Sequence, residues 1–385
     1  MMIMMIMVVG LIGFAGTVHA ASFVSLPERY QMGYPIKILI VPGHDNEFSG
    51  SSGNGLREAD LNLRLAHQIA DLLGKDDRFQ VTVSRERETG NYIPELATYF
   101  DDHEKDVAHV IAEHKKSYAR RIKEFAIDTS NGVELKQVPH GDAKPMIAYR
   151  LYATNQWANE QSFDLTLHVH FNDTYPRGGS SGEYGGYSIY VPGAPLENRH
   201  PSDAVGDAIG NRLHTVVPKS NLNLESELAN ESSVIPDTKL IALGAYDTLD
   251  VPSVLVEYSY VYEPLVNPAV SAAVIPQMAR ATMLGLYDYF LNQVGAAQAI
   301  AYQWNTNLVP DSRTKKPDVA ALQLALRTAG SYPPPGKTAN DCPVTGAYGP
   351  CTKTAVTAFQ KSRGLTADGL VGPGTRSILN QLFPR

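Results

Sequence analysis

Between Pro35 and about Val294 the chain alternates short runs rich in Val, Ile and Leu with stretches of helical periodicity, and this alternation leaves few folds open. Residues 36–41, 79–83, 165–169, 187–191, 240–243 and 254–256 read as strands. Each is short and nearly continuous in apolar residues, as strands buried on both faces are. Leu61, Leu65, Ile69 and Leu72 fall on one helical face, and Met278, Thr282 and Leu286 share another with Ile275 and Phe290 nearby. Such repetition predicts an α/β fold, with a mixed, mostly parallel sheet flanked by helices. Any site then belongs at the carboxyl ends of the strands.

The 385 residues suffice for two domains and a sizeable core. A net charge of −7 gives no support for a nucleic-acid partner, and leaves polymeric or anionic substrates open. Ile3 to Gly16 is almost wholly apolar and is followed by Thr17-Val-His-Ala20-Ala21, with small residues where a signal peptidase cuts. Residues 1–20 therefore read as a signal peptide of a secreted or extracytoplasmic protein, with no membrane span after cleavage. An uncleaved anchor is the alternative, although the apolar run is near the lower limit for spanning. Two cysteines, Cys342 and Cys351, lie close together, and export with an even count favours a disulfide between them.

The domain reading is a catalytic unit over 36–294, interrupted by a charged insertion at 91–144, then a polar linker at 295–315 and a small all-α module at 316–385. The insertion reads equally as a flap over a cleft or a solvated excursion. The module carries an internal repeat: Gly346-Ala-Tyr-Gly-Pro-Cys-Thr352 is echoed by Gly369-Leu-Val-Gly-Pro-Gly-Thr375. Pro and Gly set each turn, and Thr is expected to cap the helix that follows.

Four residues sit where a site would form. His44 follows the first strand in a tight Pro42-Gly43-His44 turn. Glu58 opens a helix, with Asn62 one turn on. His170 ends the strand Leu165–Val169, and Glu257 ends Val254–Val256. Two imidazoles and a carboxylate make an open zinc site, and a further carboxylate supplies a base, which points to metal-assisted hydrolysis. His168 shares a strand face with His170 and is either a rival ligand or its support. Asn172 and Asp173 are placed to orient substrate, and Glu183 is an outside candidate for a site carboxylate. The Gly50–Gly55 loop lacks the Lys and spacing of a phosphate-binding loop.

Taken together, Pro42-Gly43-His44, Glu58 with Asn62, His168-Val-His170-Phe-Asn172 and Leu255-Val256-Glu257 resemble the zinc-dependent N-acetylmuramoyl-L-alanine amidases of the amidase-3 family, over roughly residues 36 to 292. That resemblance implies an amidase/exopeptidase-like fold, one zinc ion held by His44, Glu58 and His170, and Glu257 as the catalytic carboxylate. Arg150 corresponds to the Arg of the family's preceding helix. Val41, Asp45 and Asn46 depart from the family's Asp and paired Gly around the His turn, His168 replaces its Ser, and Tyr258-Ser-Tyr replaces the usual stretch after the last Glu. The C-terminal segment resembles the peptidoglycan-binding domain 1 family through Leu322-Gln323, Gly346–Gly349, Phe359-Gln360, Asp368-Gly369 and Gly372-Pro373. The two resemblances imply a cell-wall hydrolase with peptidoglycan as its partner, cleaving between the lactyl group of N-acetylmuramic acid and L-alanine. A zinc peptidase on the same scaffold, or an inactive wall-binding protein, are the rival readings.

Overall fold

The computed structural model describes residues 24–128, 137–141, 143–174, 177–178 and 181–385; the expected signal peptide lies outside them. Six strands form the central sheet: β1 (Ile36–Pro42), β2 (Phe79–Val83), β3 (Leu165–Asn172), β4 (Ser188–Pro192), β5 (Val234–Asp237) and β6 (Ser253–Tyr260). Their order is β2-β1-β3-β6-β4-β5. All neighbours run parallel except β6 and β4, so the sheet is mixed and mostly parallel.

One face carries Ile38 and Ile40 of β1, Leu167 and Val169 of β3, Val254 and Val256 of β6, and Ile189 of β4, all buried under helices. Those helices include α1 (Leu26–Gln31), α2 (Glu58–Leu73), α6 (Arg199–Leu213) and α8 (Pro268–Leu291). Leu61, Leu65 and Ile69 of α2 point into this layer, as their spacing predicts. Helix α8 is long and apolar enough to cross a membrane, yet most of it is buried in this core.

The opposite face is covered largely by the insertion. Helix α3 (Pro94–Asp102) and α4 (Glu104–Asp128) pack with α5 (Pro145–Glu160) over Leu39 and Val41, burying Leu96, Tyr99, Phe100 and Val107. Val138 joins Tyr190, Ile235 and Leu255 further along the same face. Part of the insertion is therefore a structural layer of the core rather than a solvated excursion.

Two strand expectations need correction. Residues 240–243 do not form a strand: Ile241–Leu243 is a single 3-10 turn, closed by Gly244 at φ +87°. The sixth strand is instead Val234-Ile-Pro-Asp237. Pro236 argues against a central strand but is tolerated here, because β5 is the sheet edge.

Beyond the sheet, α7 (Asn223–Leu228) precedes β5, and α9 (Pro317–Thr328), α10 (Pro350–Ser362) and α11 (Pro373–Leu382) build the C-terminal module. A short pairing of β7 (Asp311–Lys315) with β8 (Ala347–Tyr348) adds a little sheet to this helical unit. The repeat has a physical basis that differs from helix capping by Thr. Gln323 accepts from the Gly346 N–H and donates to Thr352 Oγ1 at 2.8 Å; Gln360 accepts from Gly369 N–H and donates to Thr375 Oγ1 at 3.1 Å. Gly349 and Gly372 occupy the helix caps, and each Thr instead ties its turn to a buried glutamine. Gly346 and Gly369 both sit at φ +72°, a conformation that side chains with a Cβ disfavour. Cys342 and Cys351 are disulfide-bonded.

The polar stretch between the units is docked along its length. Gln277 of α8 exchanges two hydrogen bonds with the Ala301 backbone, and Arg280 donates to the Gln298 carbonyl. Trp304 is fully buried, with its indole N–H on the Asp318 carbonyl, and Leu308 pairs with Val371 through both backbone groups.

Candidate metal centre

Strand β1 ends in a turn that lifts one imidazole out of the sheet. Gly43 N–H still bonds the Val169 carbonyl of β3, and His44 then turns to φ +62°. A non-glycine residue in this region costs free energy, and such strain gathers at functional sites. Two side chains hold the turn. Asn62 donates to the Gly43 carbonyl at 2.9 Å, and the buried Arg85 donates to the carbonyls of His44, Ala59 and Gly90. Asn62 thus braces the turn. Arg85 went unnoticed in the sequence because it stands in a charged Arg-Glu-Arg-Glu run that reads as surface.

Glu58 begins α2, whose first two N–H groups are capped by the carbonyls of Ser51 and Ser49. Its Oε1 lies 3.0 Å from His44 Nε2 and 3.2 Å from His170 Nδ1, while Oε2 accepts from the Ser51 N–H. Burial alone would push this carboxyl up, but the hydrogen bonds from His170 and His44 outweigh it and hold the group well below its ordinary range. His170 goes the other way: burial lowers its pKa, opposed by Glu58. A neutral imidazole is the form that ligates metals.

His44, Glu58 and His170 bring one donor atom each within 4.8 Å of one another. Two glycines make the approach possible. A Cβ on Gly43 would lie 2.1 Å from the His170 ring, and one on Gly50 would lie 2.5 Å from Glu58 Oε2 and 2.6 Å from His44. The donor set, two nitrogens and one carboxylate oxygen with room for a further ligand, fits a divalent metal ion.

Glu257 of β6 stands in register with His170 of β3. Its Oε2 is buried without a hydrogen-bond partner, and burial, then the nearby charges of Glu58 and Glu225, push its pKa up. Glu225 of α7, which sequence reading did not single out, is a buried carboxylate behind it. It accepts from Asn172 Nδ2 at 3.1 Å and Tyr190 Oη at 2.7 Å. Asn172 therefore links β3 to α7. No sequence signal marks Glu225 within Asn-Leu-Glu-Ser-Glu-Leu.

His168 is fully buried one pleat below His170, and neither ring nitrogen has a hydrogen bond of ordinary geometry. Burial, then His170, pushes its pKa down to about 3. Both imidazoles border a largely apolar cavity of about 190 Å³, with Leu255, Phe48, Tyr92 and Arg150 among its walls. Arg150 pairs with Asp45 and Glu47, each at 2.7 Å, and lies over Phe48. Asp45 also accepts from Tyr92 Oη and the N–H groups of Glu47 and Phe48. Arg150 and Asp45 together fix the loop that follows His44. Glu183 is exposed on a separate loop and does not join the cluster.

Residues 38–114 match the family model described as N-acetylmuramoyl-L-alanine amidase, and residues 315–379 match that of a putative peptidoglycan binding domain. Among curated relatives, the zinc D-Ala-D-Ala carboxypeptidase of Streptomyces albus G is 39% identical over 89 residues, which are 23% of this chain and 31% of that protein. This chain thus spans about a third of that relative. Solved structures similar to it include the N-acetylmuramoyl-L-alanine amidase from Clostridium difficile 630, at 15% identity and TM-score 0.39, covering 68% of this chain and 99% of that one. The amidase from Mycobacterium smegmatis is 13% identical with TM-score 0.43, again covering 68% and 99%. The segment that matches the amidase model includes both His44 and Glu58.

Proposed function

We propose that the chain is a zinc-dependent cell-wall hydrolase acting outside the cytoplasm, which cleaves the amide between the lactyl group of N-acetylmuramic acid and L-alanine of the stem peptide. The convergence of His44, Glu58 and His170 beside an unpartnered buried carboxylate carries this reading. His44, Glu58 and His170 would hold the zinc, which when bound supplies a Lewis acid that polarises the amide carbonyl and makes water acidic near neutral pH.

The chain's own groups do the rest. Glu257 Oε2 accepts the proton of the attacking water and passes it to the leaving nitrogen, a role suited to a carboxyl raised towards the working pH. Glu225 faces it as a second negative charge and helps to keep its basicity high. Asn62, Arg85 and the Arg150–Asp45 pair keep the His44 turn rigid. The C-terminal module would hold the enzyme on peptidoglycan, in keeping with its family match.

Mass spectrometry of purified peptidoglycan digested by the full chain tests the reading. Free stem peptides beginning at L-alanine are expected. Stems shortened from their carboxyl end would assign a peptidase instead, and the absence of products an inactive binding protein.

A further inference from the structure

Between the amidase-family unit and the C-terminal module lies a cavity of about 560 Å³, within the range of small-ligand sites. Tyr184, Tyr262, Tyr332 and Pro343 form apolar walls, and the charges set into them balance: Arg327 and Lys219 against Glu263 and Glu183. Arg327 comes from α9 of the module and Glu263 from the segment just after β6, so each unit supplies one pole.

Each pole keeps an atom that no other described group pairs with: the Arg327 guanidinium and Glu263 Oε1. The Arg327 side chain is partly buried and, among the described residues, its guanidinium makes no hydrogen bond or ion pair; Glu263 and Arg327 attract across the space without touching. Glu263 Oε2 accepts from Ser259 Oγ at 2.6 Å, Gly186 N–H at 2.9 Å and Tyr260 N–H at 3.1 Å, which fixes the carboxylate and leaves Oε1 towards Gly185 at the cavity wall. A guanidinium without a partner in a partly desolvated space is a strong carboxylate receptor, since it offers two parallel N–H donors. With wall charges in balance, a phosphate dianion is disfavoured. A ligand carrying one carboxylate and one ammonium matches both poles.

From this we infer that the cavity binds a short peptide bearing a free ammonium and a free carboxylate, the carboxylate on Arg327 and the ammonium on Glu263. Resting on the proposed amidase activity, the ligand is the released stem peptide, whose L-alanine amine is freed by the cut. The site would then hold product between the two units.

Calorimetric titration of the full chain with L-alanyl-D-isoglutamine, a stem fragment with one ammonium and one carboxylate, tests this. Binding is expected for the free dipeptide, weaker by about tenfold or more for its carboxamide, which has no carboxylate left. The acid and amide comparison uses the unaltered protein, so it does not depend on a variant folding. Arg327→Gln should weaken the free peptide by a similar factor while leaving turnover of soluble wall fragments unchanged. His170→Ala should bind it as the parent does, which separates this site from the metal centre and from the fate of the amidase reading. No binding by the parent chain, equal binding of acid and amide, or loss of binding in His170→Ala would each overturn the proposal.

Discussion

Glu257 and His170 are direct register partners on adjacent parallel strands, so their side chains leave the same face of the sheet side by side. On the proposed function, a carboxylate at that position reaches the bond under attack without displacing His170. Glu257→Gln preserves shape but accepts no proton. Zinc content should be retained, while kcat falls by about 10²-fold or more. Metal analysis and steady-state turnover of the same preparation check this. Loss of zinc would reassign Glu257 as a ligand.

The two histidines of β3 should separate cleanly. His170→Ala is expected to lose both zinc and activity. His168→Ala should keep the metal, because its ring lies deeper along the strand and away from Glu58. Removing a fully buried ring should still cost stability, by about 2–4 kcal/mol from the cavity alone. Elemental analysis and urea unfolding read the two effects independently.

How far this was legible in the chain depends on what each residue does. The His44, Glu58 and His170 cluster was readable because its members sit at element ends, where a polar residue interrupts an apolar run. Its supports were not. Arg85 resembles a surface charge, and only the fold brings its guanidinium onto the His44 carbonyl. Glu225 lies in a short polar helix. Leu240–Leu243 and Val234–Asp237 were exchanged as strands because hydrophobicity favours the first and Pro236 counts against the second. Pairing at a sheet edge, a tertiary fact, decides between them.

Asp76 offers a pH test away from the site. Its carboxylate accepts two guanidinium bonds from Arg78 and hydroxyl bonds from Tyr30 and Tyr287, fastening α1, the start of β2 and α8. Arg78 is the largest cause holding its pKa well below the ordinary 3.8. A depressed folded pKa gives stability that is fully present above the unfolded value and lost as pH falls through the folded one. Asp76→Asn should therefore destabilise at pH 6 and cost progressively less below about pH 4. Urea midpoints of both proteins across that range check the sign.

Reducing the Cys342–Cys351 bridge, nine residues apart, should lower the unfolding temperature of the C-terminal module. The chain-entropy model puts the loss at about 2–3 kcal/mol for so short a loop. Calorimetric scans with and without reductant measure it. An unchanged transition would mean that the Gln323 and Gln360 turns suffice by themselves.

The docked stretch from Gln298 to Leu308 has a mechanical consequence. A slack tether would let a catalytic unit sweep a disc of wall around its anchor. Here α8 grips the near end of the connection and the module's own helices grip the far end, so the chain has no slack to pay out. On the proposed function, an enzyme built this way would work like a fixed-gauge tool: each foothold would set one cutting distance, and a new cut would require letting go and stepping.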